Sequence, residues 1–142
     1  MDRRTWCRAA LAACGALAGL SAFAAADPAR VKEIEQMLEA WRLAWELGEW
    51  RAYQRFYDPH FHGSAPSRSA WERERRGRLA RKDVSVKLED VHVTLESAKR
   101  ARVTFVQRYT AKEHTDLGEK RLHLVRTEGA WRITQEDWKP RR

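Results

Sequence analysis

From Val31 the apolar positions fall at Val31, Ile34, Met37, Leu38, Trp41, Ala44 and Trp45. Steps of three and four put them on one stripe of a helix. Asp27-Pro28 supplies a capping side chain followed by a residue whose fixed φ suits the first turn, and Gly48 stops the helix. A shorter second helix carries Trp50, Tyr53, Phe56 and Tyr57 on its inner face until Asp58-Pro59 breaks it. Residues 60–67 read as loop. Ser67 or Ser69 then caps a third helix over about 70–81, a charged segment with Trp71 and Leu79 turned inward.

After Asp83 the period changes from helical spacing to two, the signature of strands. Val84, Val86 and Leu88 alternate, and Val91, Val93 and Leu95 alternate in the opposite phase, which predicts a bulge near Glu89-Asp90. A turn over 97–100 leads to a strand with Ala101, Val103, Phe105, Gln107 and Tyr109 on one face. A polar loop is expected from Thr110 to Gly118, then a third strand through Leu122 and Leu124. Glu128-Gly129 makes a tight hairpin into the fourth, Trp131 to Trp138. Helices first and antiparallel strands after predict an α+β fold, with three N-terminal helices packed on a curved four-stranded antiparallel sheet. Between helix and sheet lies a cone whose open end is a natural pocket.

The first 26 residues stand apart from this pattern. Asp2, Arg3 and Arg4 make a basic start, 9–20 an uncharged apolar run, and 21–26 a small-residue cleavage site ahead of Asp27. This is the layout of a secretory signal, so the expectation is residues 1–26 as signal peptide and 27–142 as one periplasmic or secreted domain. No later stretch reaches the roughly 18 apolar residues of a membrane span. Both cysteines, Cys7 and Cys14, fall in the signal, so the domain after it has neither a disulfide nor a thiol nucleophile. Leu11-Ala12-Ala13-Cys14 resembles a lipoprotein processing box, and lipidation at Cys14 is the alternative.

The chain holds 28 Lys+Arg against 20 Asp+Glu, a net +8. Removal of Arg3, Arg4, Arg8 and Asp2 with the signal lowers this by two. The excess favours an anionic partner, and export argues against nucleic acid. The Arg-rich segment 68–82 holds the best anion-binding candidates, Arg75 and Arg78, although Glu72 and Glu74 within it favour a solvated face with internal ion pairs.

Gln107 and Tyr109 end an otherwise apolar row. Facing into the cone, they would hydrogen-bond an amide or carboxylate of a ligand; the other reading is that they are satisfied by backbone or by each other. Tyr53, Phe56, Tyr57, Phe61, Trp71 and Trp138 line the helix side and mouth, and of these Tyr57, Trp71 and Trp138, near element ends, are the ligand-contact candidates. His60 and His62 flank Phe61 with Asp58 nearby, but a third ligand at recognised spacing is missing, so no metal and no cofactor is expected.

Taken together, Trp41-Arg42-Leu43-Ala44-Trp45, Phe56-Tyr57-Asp58-Pro59-His60-Phe61, the strand Val103 to Tyr109 and the ending Gly129 to Trp138 resemble the nuclear-transport-factor-2-like superfamily, which includes ketosteroid isomerase and polyketide-cyclase-like proteins. Within it, the spacing of Trp71, Phe105-x-Gln107-x-Tyr109 and Lys120-x-Leu122-x-Leu124 looks most like the C-terminal domain of bacterial cell-wall L,D-transpeptidases and L,D-carboxypeptidases. The resemblance implies a cone-shaped fold and frequent dimerisation through the sheet. In those wall proteins the catalytic Cys and His belong to a separate domain. The leading expectation is therefore an exported, non-catalytic binding domain for a peptidoglycan fragment or an envelope protein. The rival is a small isomerase, cyclase or hydratase acting on an apolar ligand, with Tyr57 matching the tyrosine of the isomerase relatives and Asp58, Glu136 or Asp137 as its carboxylate.

Overall fold

The structure, a computed structural model, describes residues 27–142. The expected signal, with Cys7 and Cys14, lies outside the described residues. The order is α1 (Pro28–Glu46), α2 (Trp50–Arg55), α3 (Arg68–Leu79), β1 (Ser85–Ser97), β2 (Arg100–Ala111), β3 (His114–Thr127) and β4 (Ala130–Pro140). The strands form one antiparallel sheet in the order β1-β2-β3-β4. Three helices and a curved meander are the architecture that the two periodicities predict.

Local chemistry explains the element ends. The Asp27 carboxylate accepts from the amides of Ala29 and Arg30 and meets two of the orphan donors at the start of α1. Ser67 is the cap of α3, accepting from Ala70 N at 3.1 Å. Gly48 has φ +68°, and a Cβ there would meet Leu79 O at 2.9 Å, so glycine both turns the chain and lets α3 close on the end of α1. Glu128 (φ 53°) and Gly129 (φ 76°) are both left-handed, as a tight hairpin turn of the primed type requires.

The apolar stripe of α1, with Ile34, Leu38, Trp41 and Trp45 buried, lies against Val103, Phe105, Leu122, Leu124 and Ile133 of the sheet. The register of β1 on β2 slips between Glu89 and His92, with Asp90 at φ 51°. The slip returns Val93 and Leu95 to the core side, and Val91, within the bulge, is exposed rather than part of the inward row.

Three expectations are corrected. The second helix ends at Arg55, and Tyr57 instead forms a parallel bridge to Ile133, with Asp58 N donating to Ile133 O at 2.9 Å and Ile133 N to Phe56 O at 2.7 Å. Asp58-Pro59 follows this single bridge at the sheet edge. The polar segment 110–118 is not a loop: β2 and β3 pair as far as Ala111 and His114, leaving a two-residue turn. Backbone ladders need no apolar side chains, so polar residues carry the hairpin on to its turn. The charged face of α3 is not uniformly solvated either, since Arg75 turns inward with a side chain only 13% exposed.

Candidate functional site

At the wide end of the cone a cavity of about 460 Å³ opens between α3, the loop before it, the end of α1 and strands β2 to β4. Trp45, Phe61, Trp71, Tyr109 and Trp138 supply its aromatic walls; Arg75, Arg78, Arg81 and Lys120 are its cations. Glu74, Asp116 and Glu136 are its carboxylates.

Its floor is a buried polar cluster centred on Glu136. Lys120 Nζ donates to Glu136 Oε1 at 2.7 Å, Tyr57 Oη donates to Oε2 at 2.8 Å, and the Arg75 guanidinium reaches both oxygens at 3.2 and 3.5 Å. Arg75 also donates to Tyr53 Oη at 2.7 Å, and the Tyr53 and Tyr57 hydroxyls lie 2.8 Å apart. Trp41 Nε1 donates to Tyr57 Oη at 3.2 Å. One chain of bonds thus ties α1, α2, α3 and the edge segment to β3 and β4.

The elements dictate this convergence. Lys120 faces Trp138 and Leu122 faces Glu136 in the β3–β4 register, so Lys120 and Glu136 are diagonal neighbours on the inner face of the sheet. Trp71 and Arg75 are four apart on α3 and share a face. The parallel bridge of Tyr57 to Ile133 aligns its hydroxyl with Glu136, three residues further along β4.

Burial alone would raise the Glu136 carboxyl, but the positive charges of Lys120 and Arg75 and the bonds from Lys120 and Tyr57 outweigh it and hold the group well below the ordinary carboxylate range. Burial pulls Lys120 below its ordinary value, with Glu136 opposing. Burial and the nearby Glu136 charge push Tyr57 well up, which keeps its proton on the hydroxyl. Glu136 is an anion with its lone pairs committed, and Lys120 sits among the rings of Trp45, Trp41 and Trp138 at 5.1, 5.6 and 5.6 Å from their centroids.

Of the residues singled out from the sequence, Trp71, Gln107, Tyr109 and Trp138 line the cavity. Gln107 is only 3% exposed, and its Oε1 has no hydrogen-bond partner. Tyr109 is stacked on Trp45 at 5.4 Å. Trp138, 39% exposed, forms the outer wall. Tyr57 is not a lining residue; it is buried behind Glu136 as part of the floor. His62 lines the cavity with its Nδ1 2.8 Å from Ala65 O, whereas Asp58, Asp137 and His60 do not line it. Lys120 carries no local signal of burial, since an isolated lysine in a strand reads as solvated. Its place in an alternation with Leu122 and Leu124 is the one cue that it faces inward.

No curated protein matches the chain. Its structure is similar to that of Bd1075 from Bdellovibrio bacteriovorus, with a TM-score of 0.71 and 25% identity over 80% of this chain and 41% of that one. A point variant of the helical cell shape determining protein Pgp2 from Campylobacter jejuni aligns with a TM-score of 0.68 and 20% identity over 76% of this chain and 40% of that one. A putative scytalone dehydratase from Novosphingobium aromaticivorans aligns with a TM-score of 0.69 and 13% identity over 80% of this chain and 85% of that one. The chain therefore spans about two fifths of the length of Bd1075 and Pgp2. The fold is shared by enzymes and by proteins without a reaction, so it does not decide between them. The family model for the Cds6 C-terminal NTF2-like domain matches residues 33–137, and the chain belongs to that family.

Proposed function

We propose that residues 27–142 are an exported, non-catalytic binding domain that takes a cell-wall-related ligand or an envelope protein partner in the cone, like the C-terminal domains of L,D-transpeptidases and L,D-carboxypeptidases. The observation that carries this reading is the state of Glu136. An isomerase-type reaction in the cavity needs a carboxylate free to take a proton, with a pKa near the working pH. Glu136, the buried carboxylate of the cavity, is instead held ionised by Lys120, Arg75 and Tyr57 and shaped to keep the floor rigid. The domain after residue 26 has no cysteine for acyl transfer. A cell-shape protein among its structural relatives supports a wall-related ligand, and the signal-like 1–26 segment supports export.

The alternative, a small isomerase, cyclase or hydratase, rests on the His114–Asp116 pair, 2.8 Å apart at the cavity. Those side chains are 47% and 37% exposed, and an exposed pair is poorly placed to exclude water from a reaction.

Co-sedimentation of the purified protein with peptidoglycan, with pull-down from envelope extracts in parallel, tests the binding reading. Retention in either supports it; absence from both overturns it. Mass spectrometry of the protein from its native host expects Asp27 as first residue, and a lipid-modified Cys14 would replace that cut by a membrane tether. Light scattering tests the homodimer through the sheet, which a monomer would exclude.

A further inference from the structure

Most cations around the cone already have their anion. Arg75 and Lys120 are held by Glu136, Arg78 by Glu74, Arg68 by Glu72, and His114 lies on Asp116. Arg81, Lys82 and Lys112 differ: among the described residues none of them has a carboxylate within ion-pair distance. All three line a second cavity of about 480 Å³, between the end of α3 and the turn from β2 to β3. Glu113 is the one carboxylate of its lining, which leaves a surplus of two positive charges.

The backbone holds these cations together. Lys112 N donates to Lys82 O at 3.0 Å and ties the hairpin turn to the segment that leaves α3. Arg81 lies over the Tyr109 ring at 5.8 Å and reaches its hydroxyl at 3.5 Å, contacts that steer the guanidinium without neutralising it. Like charges brought together in this way repel, and no carboxylate of the fold offsets them. Arg81 and His114 also line the cone cavity, so the two cavities meet across those side chains and form one trough. Its far wall is Trp138.

We propose that Arg81, Lys82 and Lys112 form a phosphate site at the cationic end of this trough, for a phosphomonoester whose remaining body lies toward Tyr109 and Trp138. A phosphomonoester carries about −1.5 to −2 charges near neutral pH, close to the surplus of the lining, whereas a single carboxylate would leave a cation unmatched. The planar fork of an arginine with two lysine point charges suits three phosphate oxygens. The site goes beyond the binding reading above, since it holds whether the phosphate is borne by a wall component or by another molecule.

The test is NMR titration of the purified protein at constant ionic strength with inorganic phosphate, acetate and phenyl phosphate. Inorganic phosphate is expected to move the Lys82 and Lys112 amide signals and to bind more tightly than acetate. Phenyl phosphate is expected to bind more tightly still and to move the Trp138 indole signal as well. Lys82→Gln with Lys112→Gln should weaken phosphate at least about tenfold, the loss of one or more charge-assisted hydrogen bonds. Lys99→Gln, at the opposite end of β2, should leave it unchanged. No response to phosphate, acetate binding as tightly as phosphate, or equal losses in the double variant and in Lys99→Gln would overturn the site. Phenyl phosphate binding no better than phosphate would overturn the trough. Sedimentation with phosphatidic acid vesicles but not with phosphatidylcholine vesicles would uphold the site and assign its phosphate to a lipid headgroup. A response to phenyl phosphate without vesicle sedimentation would uphold it for a phosphate borne outside a membrane. Peptidoglycan co-sedimentation without a phosphate response removes this site alone, and a phosphate response with neither sedimentation nor pull-down removes the wall or envelope ligand alone.

Discussion

Glu136 Oε1 lies 2.7 Å from Lys120 Nζ, with the two side chains 6% and 5% exposed, so the cavity floor is a desolvated ion pair on neighbouring strands. Taking two charges out of water is expensive, and the pair is tolerable because Arg75 and Tyr57 satisfy the remaining carboxylate capacity. Its consequences are measurable.

Removing one partner strands the other. Glu136→Ala should destabilise the protein by about 3–5 kcal/mol, because Lys120 and Arg75 stay buried without an acceptor. The double substitution Lys120→Met with Glu136→Leu should cost clearly less than the sum of the single changes. Urea unfolding of the four proteins of the cycle measures this, and additive effects would contradict a coupled pair.

The same carboxylate sets an acid limit. The Glu136 pKa is depressed on folding, so its stabilising contribution is present above the ordinary carboxylate value of 4.5 and is lost as the pH falls below it toward the folded value. Stability should therefore fall steadily below about pH 4.5. Glu136→Gln should flatten that limb relative to the parent, as read from thermal midpoints across the acid range.

Tyr57→Phe removes a hydroxyl that donates to Glu136 and accepts from Trp41, without emptying the space of the ring. The expected loss is about 1–3 kcal/mol, the cost of leaving buried partners unmatched. Tyr57 does not line the cavity, so ligand affinity per folded molecule should change less than in Gln107→Leu. Calorimetry with whichever ligand is retained compares the two.

Gly118 is needed for a different reason. A Cβ there would lie 2.5 Å from Lys139 O and 2.7 Å from the Trp138 ring, so Trp138 reaches Lys120 only because Gly118 presents no side chain. Gly118→Ala should push the indole outward and cost about 1–3 kcal/mol through overpacking. A red-shifted tryptophan emission with a lowered thermal midpoint is the expected readout, and an unchanged spectrum would show that β4 accommodates the methyl group.

Periodicity made the scaffold legible. The stripe of α1, the two phases of β1 and the Glu128-Gly129 turn follow from local backbone geometry, in which side-chain direction repeats every 3.6 or every 2 residues. Short-range reading failed where pairing carries a segment beyond its apolar pattern: 110–118 is hairpin because backbone bonds alone extend it, and Tyr57 leaves its helix because β4 offers a partner. Gln107, Tyr109, Trp71 and Trp138 could be singled out as polar or aromatic residues at the ends of predicted rows. The floor of the cavity could not. Whether Arg75 is one more solvated arginine or the clamp of a buried carboxylate depends on Glu136, 61 residues away, and on a lysine from a third element. The sequence alone determines which elements form and which faces are apolar; the charges' partners, and so which of them are buried, were decided by tertiary packing, because electrostatic energy depends on distance through space and local periodicity carries no information about it.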